Sequence, residues 1–321
     1  MVRRLCFYAG YSNRGILENY VIYCLKELSD YADIFYCADC DMADDELEKI
    51  KPFVKYCIAQ RHHRYDFGSW QLLFSMVPNI DKYDELILMN DSVYGPLISL
   101  QPIFEKMQNA DVSAWALCGN KFMMSFFIVL KKDIFTANWF ADFMGNIKQL
   151  EDKADIVRLY EQGLSDLITQ KGLKWDCVYS SNNLKKQINN AKKDIRSAFK
   201  LIPWSIRFCH HFRFNKIRVY DDDDFFMLFP LGMPFLKRFA FKLDINNFHI
   251  LAPLFIKKYS AYDYELIDQD LSDNGVVPNH ITYFEKIKRK IRAFLFEVKY
   301  KEYGMVYKIC KIKVYVKKHK F

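Results

Sequence analysis

The chain reads as an α/β protein built on a mostly parallel sheet, and three observations predict it. Short apolar runs alternate with amphipathic stretches through the first 180 residues, the pattern of successive βαβ units. Leu86-Ile87-Leu88-Met89 is apolar at every position, as in a strand covered on both faces. That run stops at Asn90-Asp91-Ser92 and then a Gly95-Pro96 turn. Open α/β sheets place their ligand residues where such strands end. Asn, Asp and Ser are also good turn formers, because each bonds its own backbone, so a site and a simple turn both stand at this point.

Taken in order, residues 5–9 form the first expected strand, and residues 17–28 carry Tyr20, Val21, Cys24, Leu25 and Leu28 at helical spacing. Residues 33–38 are a second strand, and residues 43–54 a helix with acids in its first turn, where the helix dipole favours them. A third strand, 55–59, leads into Arg61-His62-His63-Arg64. The two histidines read as surface or loop residues rather than ligands, since no carboxylate or cysteine accompanies them at metal spacing. Within Tyr65-Asp66-Phe67-Gly68-Ser69-Trp70, Gly68 suits a close approach of backbone to a ligand, and the helix start behind it suits an anion. The alternative makes Asp66 an ordinary N-cap and Trp70 a core anchor. Further on come a helix at 100–107, strands at 112–117 and 122–130, and an aromatic-rich helix at 134–147.

With 51% apolar and 17% aromatic residues, the chain has ample material for a core, which excludes general disorder. No run of 18 uncharged apolar residues occurs, so no membrane-spanning helix is expected, and the first residues lack the apolar segment of a signal peptide. Nine irregularly spaced cysteines fit reduced thiols in a cytosol. Cys37-Ala-Asp-Cys40 has redox or zinc spacing, but no second pair supports a metal site. The net charge of +8 is unevenly placed. Residues 281–321 carry 13 Lys and Arg against 3 Glu, residues 181–220 carry 10 against 1, and the remainder is acidic.

Tyr-Asp-Phe-Gly-Ser-Trp at residues 65–70, followed by Tyr-Asp-Glu-Leu-Ile-Leu-Met-Asn-Asp-Ser-Val-Tyr-Gly-Pro at 83–96, resembles the rhamnan synthesis F family of bacterial glycosyltransferases. Tyr160-Glu161-Gln162-Gly163-Leu164-Ser165 is similar to that family's Tyr-Glu-x-Gly-Leu-Ser segment, and residues 231–238 to its Pro-Phe-Leu-Lys stretch. Where the family's strand usually begins with Gln-Ser, this one has Met124-Ser125. The resemblance implies a GT-A-like nucleotide-diphospho-sugar transferase fold, with residues 1–180 as the sugar-nucleotide-binding catalytic domain and 181–280 completing the catalytic unit. It implies transfer of a sugar, L-rhamnose, from a nucleoside diphosphate (a dTDP-rhamnose-like donor) to a cell-surface glycan or lipid-linked acceptor, by inversion. Donor-binding residues would be Tyr65, Asp66, Gly68, Trp70, Asn90, Asp91 and Ser92, with Asp91 and Glu161 catalytic. Asp91 would share Mg²⁺ or Mn²⁺ with the diphosphate, although its neighbours are Asn90 and Ser92 rather than a second carboxylate. Glu161 would be the general base; its alternative is a solvated helix-end carboxylate.

Asp221 to Asp224 form a four-carboxylate run that reads either as a solvated turn or as a cation site. In the tail, Phe284, Ile287, Ile291, Phe294, Leu295 and Val298 recur at helical spacing among Lys and Arg. A helical basic extension over 281–321 is therefore expected, lying on the anionic inner face of the cytoplasmic membrane as a peripheral attachment or packing as an ordinary core helix. Two other classes compete with the enzyme: an inactive binding or scaffold protein of the same fold, and, ranked lower, a nucleic-acid binder using the basic segments; no nucleic-acid partner is expected.

Overall fold

The computed structural model describes residues 2–180, 183, 186, 228–243, 248–276, 296–301, 304–309 and 312–318. At its centre, β1 (Arg4–Gly10) pairs in parallel with β2 (Asp33–Ala38) on one side and with β4 (Glu85–Asn90) on the other. β3 (Tyr56–Ala59) extends the sheet beyond β2. Beyond β4 lie β7 (Phe127–Lys131), β6 (Ala114–Gly119) and β8 (Trp175–Ser180), giving a seven-stranded order β3-β2-β1-β4-β7-β6-β8. Only β7 runs against its neighbours, so the expected α/β class with a mostly parallel sheet is the observed one. The chain leaves β1 toward β2 and β3 and returns to its other side with β4, so the order reverses between β1 and β4. A crevice at the carboxyl ends of strands at such a reversal is where open sheets bind ligands.

Alternation along each central strand divides the core between the two faces. Cys6, Tyr8, Ile87 and Met89 pack on one side with α1 (Asn19–Ser29), α4 (Gln101–Lys106) and, from far downstream, α9 (Phe239–Leu243), α10 (Phe248–Tyr259) and α11 (Glu265–Asp273). Leu5, Phe7, Leu86 and Leu88 pack on the other with α3 (Tyr65–Met76), α6 (Asn138–Gly145) and α8 (Gly163–Gln170). Every residue of β4 is buried, and a buried Leu, Ile or Met side chain contributes about 1.5–3 kcal/mol.

Three expectations change. The acidic helix α2 spans only Asp44–Glu48, because Pro52 forbids continuation and biases Lys51 away from helix. The aromatic helix is two pieces, α5 (Lys132–Phe135) and α6. The Thr136 hydroxyl donates back to the Lys132 carbonyl at 2.6 Å, and Ala137 is extended with ψ 141°. In the tail, the described residues are strands and not helix: β10 (Phe296–Lys301), β11 (Gly304–Ile309) and β12 (Ile312–Lys318) form an antiparallel sheet. The sequence Phe-Glu-Val-Lys-Tyr-Lys alternates with period two, which a strand satisfies and a helix does not. The start of that extension, residues 281–295, most of the basic segment 181–220 and the Asp221–Asp224 run lie outside the described residues. Among the described residues no helix is long and apolar enough to cross a membrane.

A two-stranded patch, missed in the sequence, closes the site's edge. β5 (Val93–Tyr94) pairs antiparallel with β9 (Leu236–Lys237), Val93 opposite Lys237. The Arg238 amide donates to the Ser92 carbonyl at 3.1 Å and the Leu97 amide to the Pro234 carbonyl at 2.7 Å. At Gly95, φ is +132° and an added Cβ would stand 2.6 Å from that Pro234 carbonyl, so only glycine permits this approach.

Candidate functional site

Where β4 ends, the Asp91 amide still bonds the Ala9 carbonyl, at 3.2 Å, and its carboxylate accepts the Tyr11 amide at 2.8 Å. The loop after β1 is thus fastened to the end of β4, with the Asp91 carboxylate at the join. Its neighbour Asn90 is buried and turned the other way: its amide donates to Asp66 at 2.7 Å, while its Oδ1 accepts the Ser92 hydroxyl at 2.6 Å and the Ser92 amide at 3.2 Å. Asn90 and Ser92 therefore make a turn, and Asn90 also positions a carboxylate.

Asp66 stands in the first turn of α3. It does not cap the helix, because no side-chain cap is formed there, and the residue preceding α3, Arg64, is not an extended N-cap. Its carboxylate oxygen faces the Ser125 hydroxyl at 3.4 Å, and the same hydroxyl lies 3.1 Å from Glu161. A serine has one proton to donate. Of Asp66 and Glu161, therefore, Ser125 can serve only one at a time. Burial pushes the Glu161 carboxyl above its ordinary value, the Asp66 charge adds to this, and Ser125 and the Lys237 charge oppose it. Glu161 sits in a π-type turn, Val157–Gln162, inside a helical run that continues into α8. Such widened turns recur at functional sites. The alternative of a solvated helix-end carboxylate does not describe this half-buried, shared group.

Asp91 is under related pressure. Burial pushes its carboxyl up to about 6; Arg238 and the Tyr11 amide pull it down, and the Asp66 and Asp270 charges push it up. The Arg238 guanidinium lies 4.8 Å from the Tyr20 ring centroid and makes a paired ion contact with Asp270, at 2.9 Å from Oδ1 and 3.1 Å from Oδ2. Burial works against its charge, and Tyr20, Asp91 and Asp270 outweigh that and hold it protonated. Among the described residues no three His, Cys, Asp or Glu gather that could hold a metal ion. The turn at Asp91 carries one carboxylate, so a Mg²⁺ or Mn²⁺ ion would be held there only together with the diphosphate of a bound donor.

The other expected donor-binding residues divide. Tyr65 is 44% exposed and Tyr11 51%, the Tyr11 ring lying 5.5 Å from the Arg61 guanidinium. Trp70 is fully buried and donates to the Met89 carbonyl at 3.1 Å, beneath the site rather than in it. Gly68 faces no open cleft: an added Cβ would run into the Arg64 side chain and stand 2.7 Å from the His62 ring. Its small size admits His62, where the sequence suggested admission of a ligand.

Asp39, just past β2, was not singled out in the sequence, yet it organises this loop. It is 4% exposed and accepts the amides of His62 and His63 at 2.8 Å and of Tyr65 at 3.1 Å, with Arg61 at 3.2 Å. These bonds hold His63 and Tyr65 at φ +57° and +55°, a conformation that costs non-glycine residues about 1 kcal/mol or more. His62 lies in a loop, as expected, but its side chain is 2% exposed and not at the surface. Its Nδ1 accepts the Arg64 amide at 3.2 Å, so the proton sits on Nε2, 3.0 Å from the Ser69 hydroxyl. Burial lowers its pKa to about 4, against the pull of Asp39. A histidine depressed in the folded state stabilises fully above its unfolded pKa of about 6.5 and loses that contribution as pH falls toward 4, up to about 3 kcal/mol. In urea unfolding from pH 7 to 4, His62→Asn is expected to show a shallower loss of stability than the wild type. Parallel curves would contradict the buried neutral imidazole.

The Cys37 and Cys40 thiols are free and buried. Burial raises both above the ordinary thiol range, which disfavours thiolate and metal binding.

No curated protein matches the chain. Among solved structures, the glycosyltransferase GlyE of Streptococcus pneumoniae TIGR4 is 10% identical, with a TM-score of 0.39, covering 87% of this chain and 66% of that one. The S. aureus TarS 1-349 structure is 10% identical, with a TM-score of 0.34, covering 99% of each chain. Neither likeness is close enough to assign a substrate. The family described as rhamnan synthesis protein F matches residues 34–302, which include Asp39, Asp66, Asp91, Ser125, Glu161 and Arg238. The chain belongs to that family of glycosyltransferases.

Proposed function

We propose that this protein transfers L-rhamnose from a nucleoside diphosphate to a hydroxyl of a growing glycan, carried on lipid, with inversion at the anomeric carbon. The observation that carries the reading is the carboxylate pair Asp66 and Glu161, bridged by Ser125 and fixed by Asn90 beside Asp91 at the sheet's point of reversal. The sugar identity rests on the family's description, rhamnan synthesis.

In this reading the acceptor oxygen attacks the anomeric carbon and gives its proton to Glu161. The bond from that carbon to the diphosphate oxygen breaks on the opposite face. A base with a raised pKa is suited to the task, because proton transfer is most efficient when base and working pH are close. Asp66 holds Ser125 and Glu161 in register. Tyr11 and Tyr65 offer exposed ring faces to the flat base of the nucleotide. The tail's charge of +10 supports attachment to an anionic inner leaflet, where a lipid-linked acceptor would be met.

Asp91→Asn tests the site. Because the folded pKa is raised, the Asp91 contribution is most favourable below about 4 and is lost as pH rises through about 6. The variant is expected to abolish donor turnover and yet be more stable than wild type at pH 8, by up to about 3 kcal/mol. Assays with dTDP-rhamnose and other nucleotide sugars, beside urea unfolding, read both. Full turnover in Asp91→Asn would remove this residue from the site, and consumption of a different sugar nucleotide would replace rhamnose.

A further inference from the structure

Two cations, Lys237 and Arg238, come to the site's edge from a segment far downstream of β4. The antiparallel pair of β5 and β9 sets Lys237 opposite Val93, and the Arg238 amide is bonded to Ser92, so both positions are tied by backbone to the turn that carries Asp91. Their side chains lie over different rings. The Lys237 ammonium lies 5.0 Å from the Phe126 ring centroid, next to Ser125, whose hydroxyl meets Asp66 and Glu161. The Arg238 guanidinium lies over Tyr20, on the side from which Asp91 feels its charge. The ion pair with Asp270 holds that guanidinium in place.

Resting on the glycosyl-transfer reading, we propose that Lys237 contacts the diphosphate of the donor and stabilises it as it leaves, and that Arg238 is the positioning residue that holds β9 and the Asp91 turn together. When the anomeric carbon–oxygen bond breaks, the electron pair stays on the diphosphate oxygen, which gains one negative charge. An ammonium on a paired strand meets that charge without reorganising. The Lys237 ammonium lies over the face of Phe126, a cation–π contact that sets its position beside Ser125 in the chain. Arg238 serves as a tie, because its Nε and Nη2 donors are committed to Asp270.

The test is binding of inorganic pyrophosphate to the full chain, and turnover of the preferred nucleotide sugar, in Lys237→Ala, Lys237→Arg and the control Lys171→Ala. Lys171 is exposed at the far end of α8. Thermal melting confirms that each variant is folded. Lys237→Ala is expected to weaken pyrophosphate binding by roughly tenfold or more, the ordinary loss for a charge-assisted contact, and to lower kcat. Lys237→Arg is expected to recover most of both, and Lys171→Ala to change neither. Wild-type turnover together with unaltered pyrophosphate affinity in Lys237→Ala would overturn the assignment and leave glycosyl transfer standing. Lys237-dependent pyrophosphate binding without turnover of any donor would leave the cation assigned and remove the transfer reading. A wild type that binds no pyrophosphate overturns the assignment as well.

Discussion

Glu161→Gln is expected to lower the rate of sugar transfer by about two to four orders of magnitude while leaving the fold and donor binding intact. The amide keeps the size of the carboxylate and still accepts the Ser125 hydroxyl, which lies 3.1 Å away, so the geometry around Asp66 and Asn90 survives. What it removes is a site for the acceptor's proton. The pH profile gives a second readout. Glu161 acts as a base only when ionised, and burial and Asp66 raise its pKa. The rate is therefore expected to climb with pH through a midpoint above the usual glutamate range. Removing the neighbouring charge, as in Asp66→Asn, would shift that midpoint to lower pH. Transfer at the wild-type rate in Glu161→Gln would remove the base from the mechanism. An unmoved midpoint in Asp66→Asn would show that the two carboxylates are not coupled.

Asp270→Ala is expected to be the most destabilising single change considered, at about 3–5 kcal/mol. Asp270 is 3% exposed and accepts Arg238 through Nε and Nη2, the Tyr94 hydroxyl, and the Asn274 side-chain amide at 2.9 Å. Truncation leaves a half-buried guanidinium without its ion-paired carboxylate and a buried tyrosine hydroxyl without its acceptor. Since whole domains are stable by about 5–15 kcal/mol, this is a large fraction of the total. Equilibrium urea unfolding measures it, and Asp270→Asn, which keeps the shape and part of the bonding, should lose less. A loss within 1 kcal/mol for the alanine variant would mean that other contacts hold α11 and β9 to the body.

The central strands were legible because their requirements are local. A strand covered on both faces must be apolar throughout, and Leu86 to Met89 says so without reference to the rest of the chain. The same is true of the turn at Asn90-Asp91-Ser92. β5 and β9 were not legible: each is two residues long, and their pairing joins segments that no local pattern relates. Lys237 and Arg238 fell within a stretch similar to the family's, but resemblance marks a segment and does not say which way its side chains go. Trp70, Gly68 and His62 show the same limit from the other side. Their types and spacing suited a ligand loop or a surface, and burial in the assembled fold made them supports. Asp39 was passed over because an aspartate after a strand is common, and its amide partners become apparent only once the loop at residues 61–65 has folded over it. Helical spacing at residues 284–298 predicts a helix in the tail, whereas its second half alternates with period two and forms strands.

The most direct measurement is transfer by wild type, Asp91→Asn and Glu161→Gln across a panel of nucleotide sugars, with the anomeric configuration of the product read by NMR. Selective turnover of dTDP-rhamnose with inverted configuration, lost in both variants while both stay folded, is the result expected. Turnover that survives both substitutions, or a product of retained configuration, would contradict a site built on Asp91 and the Asp66–Glu161 pair.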